Sequence, residues 1–346
     1  MSSRPCAACT RTSRDDPLIL KSAPARVALQ VALSVGLIAA VLWQADLHRI
    51  GHALRATSPG WFGAAIAISI VATGIMALRW HLLLLARGRR EPGLWWLFET
   101  YSIALLLGQV LPTAVGGDAV RAIDLARRTG ARAEAVSSVL VDRVVGLAAL
   151  GALAAGGALA GGTGIGRGTA IALGLGVVAA TGLAAVALFS LRLRPLLRRL
   201  APLARRLRAE RALGALYHAL HAYRGHPGAL GLVLLLGVAA QGMRAISIWF
   251  LAQGMHLGLG FASLLVLCPI LFLVTIVPVS LNGIGLREAT FVVVLRGADV
   301  GREDAFALGL AYFAVGVLTA GLGGLALLRR AVAAHRGRTG ESRPVT

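Results

Sequence analysis

Along the chain, long apolar stretches alternate with short arginine-bearing ones, and their length is that of membrane helices. An apolar run of about 20 residues can cross a bilayer as a helix. Such runs lie at 26–43, 61–80, 134–160, 168–191, 228–251 and 304–328. Two more, at 94–112 and 261–282, are as long but end in segments containing proline and glycine. A transmembrane barrel would show short segments alternating apolar and polar residues, whereas these runs are continuous and rich in Ala, Leu, Val and Gly. Lipid leaves backbone groups no partner outside a helix or closed barrel, so the pattern predicts an all-α polytopic bundle. The first 25 residues are polar and no small-residue cleavage site follows the first run, which reads as a retained helix rather than a signal peptide.

Composition narrows the class. Of 346 residues 57% are hydrophobic and 14% charged, with a mean hydropathy of +0.76. Soluble domains carry about 25% charged residues, so a cytosolic enzyme, a disordered tail and a disulfide scaffold are excluded. The formal charge is +20, but no basic soluble face with interleaved aromatics accompanies it, and nucleic acid is not an expected partner. Cys6 and Cys9 form a lone CxxC, and Cys268 lies in an apolar run. No metal or cofactor is expected from these.

The arginines decide how the two interrupted runs behave. If 94–112 crossed fully with the N-terminus inside, the segment 192–227 and its nine arginines would face outside. If 94–112 dips and returns, 27 of the 35 Lys and Arg face the cytoplasm and 6 face outside, with Arg143 and Arg244 inside spans. The positive-inside rule selects the dipping arrangement. The run at 261–282 must then dip from the other side, which gives six full spans, two re-entrant segments and both termini in the cytoplasm. Trp43, Trp61, Trp80, Trp95, Trp96 and Trp249 fall near span ends, as interfacial anchors do.

The two dips resemble each other. Leu111-Pro112-Thr-Ala-Val-Gly116-Gly117-Asp118-Ala-Val-Arg121 and Val277-Pro278-Val-Ser-Leu-Asn282-Gly283-Ile-Gly285-Leu-Arg287-Glu288 share the spacing Pro-x4-Gly-x3-Arg. Proline lacks an N–H and disfavours helix at the preceding residue, so each helix breaks there. A new helix starting near 117 or 284 offers free N–H groups to a phosphate, with Arg121 or Arg287 one turn in. The plainer reading has Asp118 capping a surface helix and Arg121 paired with Asp124. The expected organisation is a polar N-terminus (1–25), a membrane repeat at 26–160, a second and inverted one at 161–328 with the basic segment 192–227, and a tail at 329–346.

Charges inside the runs extend the candidate site. Asp142 and Arg143 are neighbours on one helix, about 100° apart, so each needs another partner or a watery cavity. Arg244 with Gln241 and Ser247 makes a polar stripe, and Glu99 opens the first dip. Ion pairs that only fix helix packing and a lining for a polar headgroup route are both open here. Gly157 and Gly161 form a GxxxG that reads as close helix packing. No nucleophilic triad or metal constellation is present in the pattern of histidines, cysteines and carboxylates, so no enzyme activity is expected.

Gly116-Gly117-Asp118-Ala-Val-Arg121-Ala, followed by Ser137-Ser138-Val139-Leu140-Val141-Asp142-Arg143, resembles the membrane domain of lysylphosphatidylglycerol synthetase/flippases. The stretch Pro278 to Glu288 is similar to a second signature of that family, and the likeness runs from the first span to the last. The resemblance implies movement of lipid between leaflets of the cell membrane. In that family a separate soluble domain attaches the amino acid, and only 329–346 follow the last run here, so that activity is not implied. The expected partners are membrane lipids with an anionic or lipid-linked headgroup, contacted by Gly116, Gly117, Asp118, Arg121, Asp142, Arg143, Arg244, Asn282, Gly283, Arg287 and Glu288. Two other readings stand beside it. One is a membrane subunit docking or regulating a separate lipid-modifying enzyme; the other is a transferase acting on lipid-linked sugars through Asp118 or Glu288.

Overall fold

A computed structural model describes residues 47–110, 116–160, 175–176, 179, 210–276, 283, 285–298 and 300–340. The expected span 26–43, all but three residues of 168–191, the segment 1–25, Pro112, Pro278, Asn282 and the first half of 192–227 lie outside the described residues. Ten α-helices are bounded among the described residues, with no strand. They are α1 (Leu47–Ala56), α2 (Pro59–Ala86), α3 (Leu94–Val110), α4 (Gly116–Thr129) and α5 (Arg132–Leu159). The remainder are α6 (Glu210–His221), α7 (Pro227–Gly254), α8 (Phe261–Ile276), α9 (Leu286–Leu295) and α10 (Arg302–Gly340).

Four of them, α2, α5, α7 and the Arg302–Ala333 part of α10, are long and apolar enough to cross a membrane. They coincide with four of the six expected spans. α2, α5 and α7 have 28 residues each. At about 1.5 Å per residue that is about 42 Å, ample for a hydrocarbon layer of about 30 Å. α2 and α7 both open on Pro-Gly, where a fixed φ suits the first helical position and the missing N–H costs nothing. α3 and α8 have only 17 and 16 residues.

α2 and α7 pack along each other in opposite directions. The Ser58 N–H donates to the Gly254 carbonyl (3.1 Å), and the Ser69 hydroxyl donates to Ser247 Oγ (3.0 Å). Arg244 meets the Met76 sulfur at 3.3 Å, and a Cβ on Gly237 would lie 3.1 Å from Arg79 Nη1. Residue numbers rise along one helix as they fall along the other, so the pair is antiparallel. Met76 and Arg244 stand at the same position counted from the opening prolines.

The remaining contacts come in matched pairs. α2 packs on α3 as α7 does on α8, α3 on α4 as α8 on α9, and α4 on α5 as α9 on α10. Across the middle, α3 meets α10 as α8 meets α5, α7 meets α5 as α2 meets α10, and α1 lies on α10 as α6 lies on α5. Exchanging α1–α5 for α6–α10 leaves this scheme unchanged. Gly157 and Gly323 have the same sequence separation as Arg121 and Arg287, and each lets a span approach a short helix closely. A Cβ at Gly157 would sit 2.7 Å from Leu265 Cβ, and one at Gly323 would run into the Ser102 carbonyl.

The α3–α4 unit is a hairpin whose two ends meet. Trp96 lies under the Arg128 guanidinium (5.0 Å), Thr100 donates to Asp124 (3.0 Å), and Arg128 pairs with Glu91 (3.8 Å) just before α3. Arg89 pairs with Glu134 at the start of α5 (2.8 Å). The end of α2, the open end of this hairpin and the start of α5 therefore share one end of the bundle. The last turns of α10 are there too, because Arg330 bonds Asp124 (2.7 Å) and Glu99 (3.3 Å) and Arg329 also pairs with Glu99. At the other end, Ile50 clusters with Phe306, and Ala158 at the end of α5 with Val266.

Candidate functional site

The first hairpin carries a chain of buried charges. Gly117 brings α4 against α3; a Cβ there would stand 2.7 Å from the Ala104 carbonyl oxygen. Asp118 and Arg121 share a face of α4, being three residues apart, and that face meets α5. Asp142 accepts from Arg79 Nε at 2.8 Å and from Arg121 Nη2 at 3.0 Å, and all three side chains are at most 3% exposed. Arg121 also reaches Asp118 (3.4 Å), which in turn pairs with Arg143. The Arg121 guanidinium lies 4.3 Å from both the Trp80 and the Tyr101 ring, so cation–π attraction adds to the ion pairs. Arg79 Nη1 and Arg121 Nε are buried without a hydrogen-bond partner among the described residues.

The second hairpin is built differently. Gly283 and Gly285 take φ of +74° and +81°, a region open to glycine and strained for other residues, so the chain can turn into α9 there. Gly283 also packs on Thr275, where a Cβ would lie 2.6 Å from the methyl. One Glu288 oxygen accepts the Gly285 N–H (2.7 Å) and the other takes Arg287 (2.6 Å). The N-cap N–H of α9 is thus satisfied within the chain by a carboxylate. Arg287 stacks against Phe313 at 4.5 Å.

Between the hairpins lie two adjoining cavities, of about 240 and 260 Å³. The first is bordered by Ser69 and Thr73 of α2 and by Arg287; the second by Met76 and Arg79 of α2, with Asp118, Arg121, Asp142 and Arg143. They are therefore stacked along α2. Their common wall holds Gln109, Gln241, Arg244, Phe272 and Thr275. Arg244 faces both and is half-buried; among the described residues its only hydrogen bond goes to the Met76 sulfur, and no carboxylate pairs with it.

Of the sequence-predicted residues, Gly117, Asp118, Arg121, Asp142, Arg143 and Arg244 border one cavity, and Arg244 and Arg287 the other. Glu288 stands behind Arg287, Gly116 opens α4, and Gly283 lies at the turn into α9. Asn282 is outside the described residues. The partner of Asp124 is Arg330 rather than Arg121. Glu99 is 4% exposed and held by Arg329 and Arg330. Two expectations are corrected. Arg79, which the charge count did not place among the arginines inside spans, lies inside α2 at 3% exposure, because the helix runs on to Ala86 and Asp142 compensates the charge. Trp80 is no interfacial anchor: it is fully buried, and its indole N–H donates to Ser138 (3.1 Å). Gln109 and Thr275, which stand at matching places in α3 and α8, carried no signal beyond polarity in an apolar run.

The arrangement places two adjoining cavities, bordered by buried arginines and carboxylates, inside an apolar bundle. No curated protein matches the chain. The family model described as lysylphosphatidylglycerol synthase TM region matches residues 27–324, most of the chain, and the protein belongs to that family.

Proposed function

We propose that the protein is a lipid translocator of the cell membrane, moving an anionic or lipid-linked headgroup between leaflets while the tails stay in lipid. It does so without covalent chemistry. The observation that carries this reading is Arg244, a cation facing two stacked cavities with no carboxylate partner among the described residues. An unpaired charge at that depth is costly, and charges there mark substrate routes more often than packing alone. The two hairpins act as re-entrant segments of an inverted repeat. Their matched contacts and the antiparallel α2–α7 pair fit that scheme, in which broken helices meet at a central site. Arg121 and Arg287 line one cavity each and receive the headgroup from either side, and Arg244 passes it across.

The end that carries Arg87, Arg89, Arg128, Arg329 and Arg330 faces the cytoplasm by the positive-inside rule. Single cysteines at 165 and 255 are then expected to react with an impermeant maleimide in intact cells, and one at 210 only after permeabilisation. The opposite labelling would invert the scheme. For the function itself, purified protein in liposomes is expected to accelerate leaflet exchange of a fluorescent anionic lipid over protein-free vesicles. Arg244→Gln is expected to slow it at least about tenfold, the scale of one lost charge-assisted contact. No acceleration of any anionic or lipid-linked substrate would overturn the proposal.

A further inference from the structure

The charges around the two cavities do not cancel. Arg79, Arg121 and Arg143 face Asp118 and Asp142 in one cavity, and Arg287 faces Glu288 beside the other. Arg244 is common to both. Among the described residues this leaves two positive charges in excess. The neighbouring cluster does not alter the balance, because Arg329 and Arg330 are matched there by Glu99 and Asp124. Nor do the breaks between the paired helices: 111–115, 277–282 and 284 contain no ionisable side chain.

Resting on the translocator reading, we infer that the site takes a headgroup bearing two negative charges on phosphate, a lipid phosphomonoester or a diphosphate esterified at both ends, in preference to a phosphodiester. A dianion brings the enclosed charge to zero, whereas a phosphodiester leaves one cation uncompensated in a medium that screens it poorly. A zwitterionic headgroup leaves both, and a cationic one adds a third. The guanidiniums suit this ligand, since their planar donor forks match phosphate oxygens. Arg244 is the selective element, because the other four arginines already answer a carboxylate of the chain.

The test is binding of two probes with the same tail, dodecyl phosphate and dodecyl methyl phosphate, to the full chain in a non-ionic detergent. The phosphomonoester gains its second charge with a pKa near 6, so it is a monoanion at pH 5 and a dianion at pH 8. At pH 8 dodecyl phosphate is expected to bind at least about tenfold more tightly than the methyl ester, and about equally at pH 5. The methyl ester keeps one charge at both pH values and reports any titration of the protein itself. Arg244→Gln lowers the excess to one charge and is expected to bring the two probes within about twofold at pH 8. Arg244→Lys keeps the charge and is expected to keep the preference; both variants are compared by thermal unfolding so that loss of fold is seen as such. Equal binding of the probes at pH 8, or a preference unchanged in Arg244→Gln, would overturn the inference. Equal binding with leaflet exchange intact would sink the charge rule alone; a clear preference without any exchange would sink transport alone.

Discussion

Asp142→Asn is expected to leave little folded protein in the membrane. The Asp142 carboxylate is the acceptor for two guanidiniums, Arg79 at 2.8 Å and Arg121 at 3.0 Å, and none of the three is more than 3% exposed. Removing the negative charge leaves buried Arg79 without a carboxylate and Arg121 with only its longer contact to Asp118 (3.4 Å). Breaking one buried pair in this way costs about 3–5 kcal/mol in soluble proteins, a large part of a typical folding free energy. Asp118→Asn is expected to cost less, because its partner Arg143 is 35% exposed and can turn towards the cavity. The measurement is the yield and thermal midpoint of purified protein. The double variant Arg79→Gln/Asp142→Asn is expected to recover part of the loss, since one stranded charge is gone, and the cycle reports the coupling. A single variant as stable as the parent would mean that water or other groups hold these cations.

Gly323→Leu and Gly157→Leu are the other changes with large effects. At Gly323 the new Cβ would occupy the space of the Ser102 carbonyl, and at Gly157 it would press on Leu265 and on the Ala262 carbonyl at 3.1 Å. These obstacles include main chain, so whole helices must part rather than a side chain swing aside. Overpacking costs about 1–3 kcal/mol when side chains can adjust, and these cases lie at or above that range. Gly156 and Gly321 supply the controls: each is exposed, and a Cβ there meets nothing within 4 Å. Leu at either is expected to leave the midpoint within a degree or two, since surface changes stay within about 0.5 kcal/mol. Equal losses at Gly157 and Gly156 would contradict the close approach of α5 to α8.

The sequence made α2, α5, α7 and α10 readable because hydropathy over about 20 residues is set by lipid rather than by tertiary detail. It also pointed to Asp142 and Arg143, since adjacent opposite charges on a helix cannot satisfy each other. What it hid is where a span ends. Arg79 followed by Trp80 looks like the edge of a run, yet Leu82 to Leu85 continue it, and the helix persists to Ala86. That length was the available signal for a buried arginine and a buried tryptophan. The choice of partner was beyond reach in the same way. Asp124 lies three residues from Arg121, but a helix so close to α10 gives the better geometry to Arg330, more than 200 residues away.

Met76 and Arg244 occupy matching places on two antiparallel helices and touch. At such a crossing a residue faces its own counterpart. A molecule assembled from two identical copies of one half could therefore place no guanidinium there, or two in mutual repulsion, but never one. A lone cation at the centre is open only to a chain whose two halves have diverged at that position. On this geometry, a symmetric ancestor carrying methionine at both positions would have lacked the central charge, and a single substitution in one half would have supplied it.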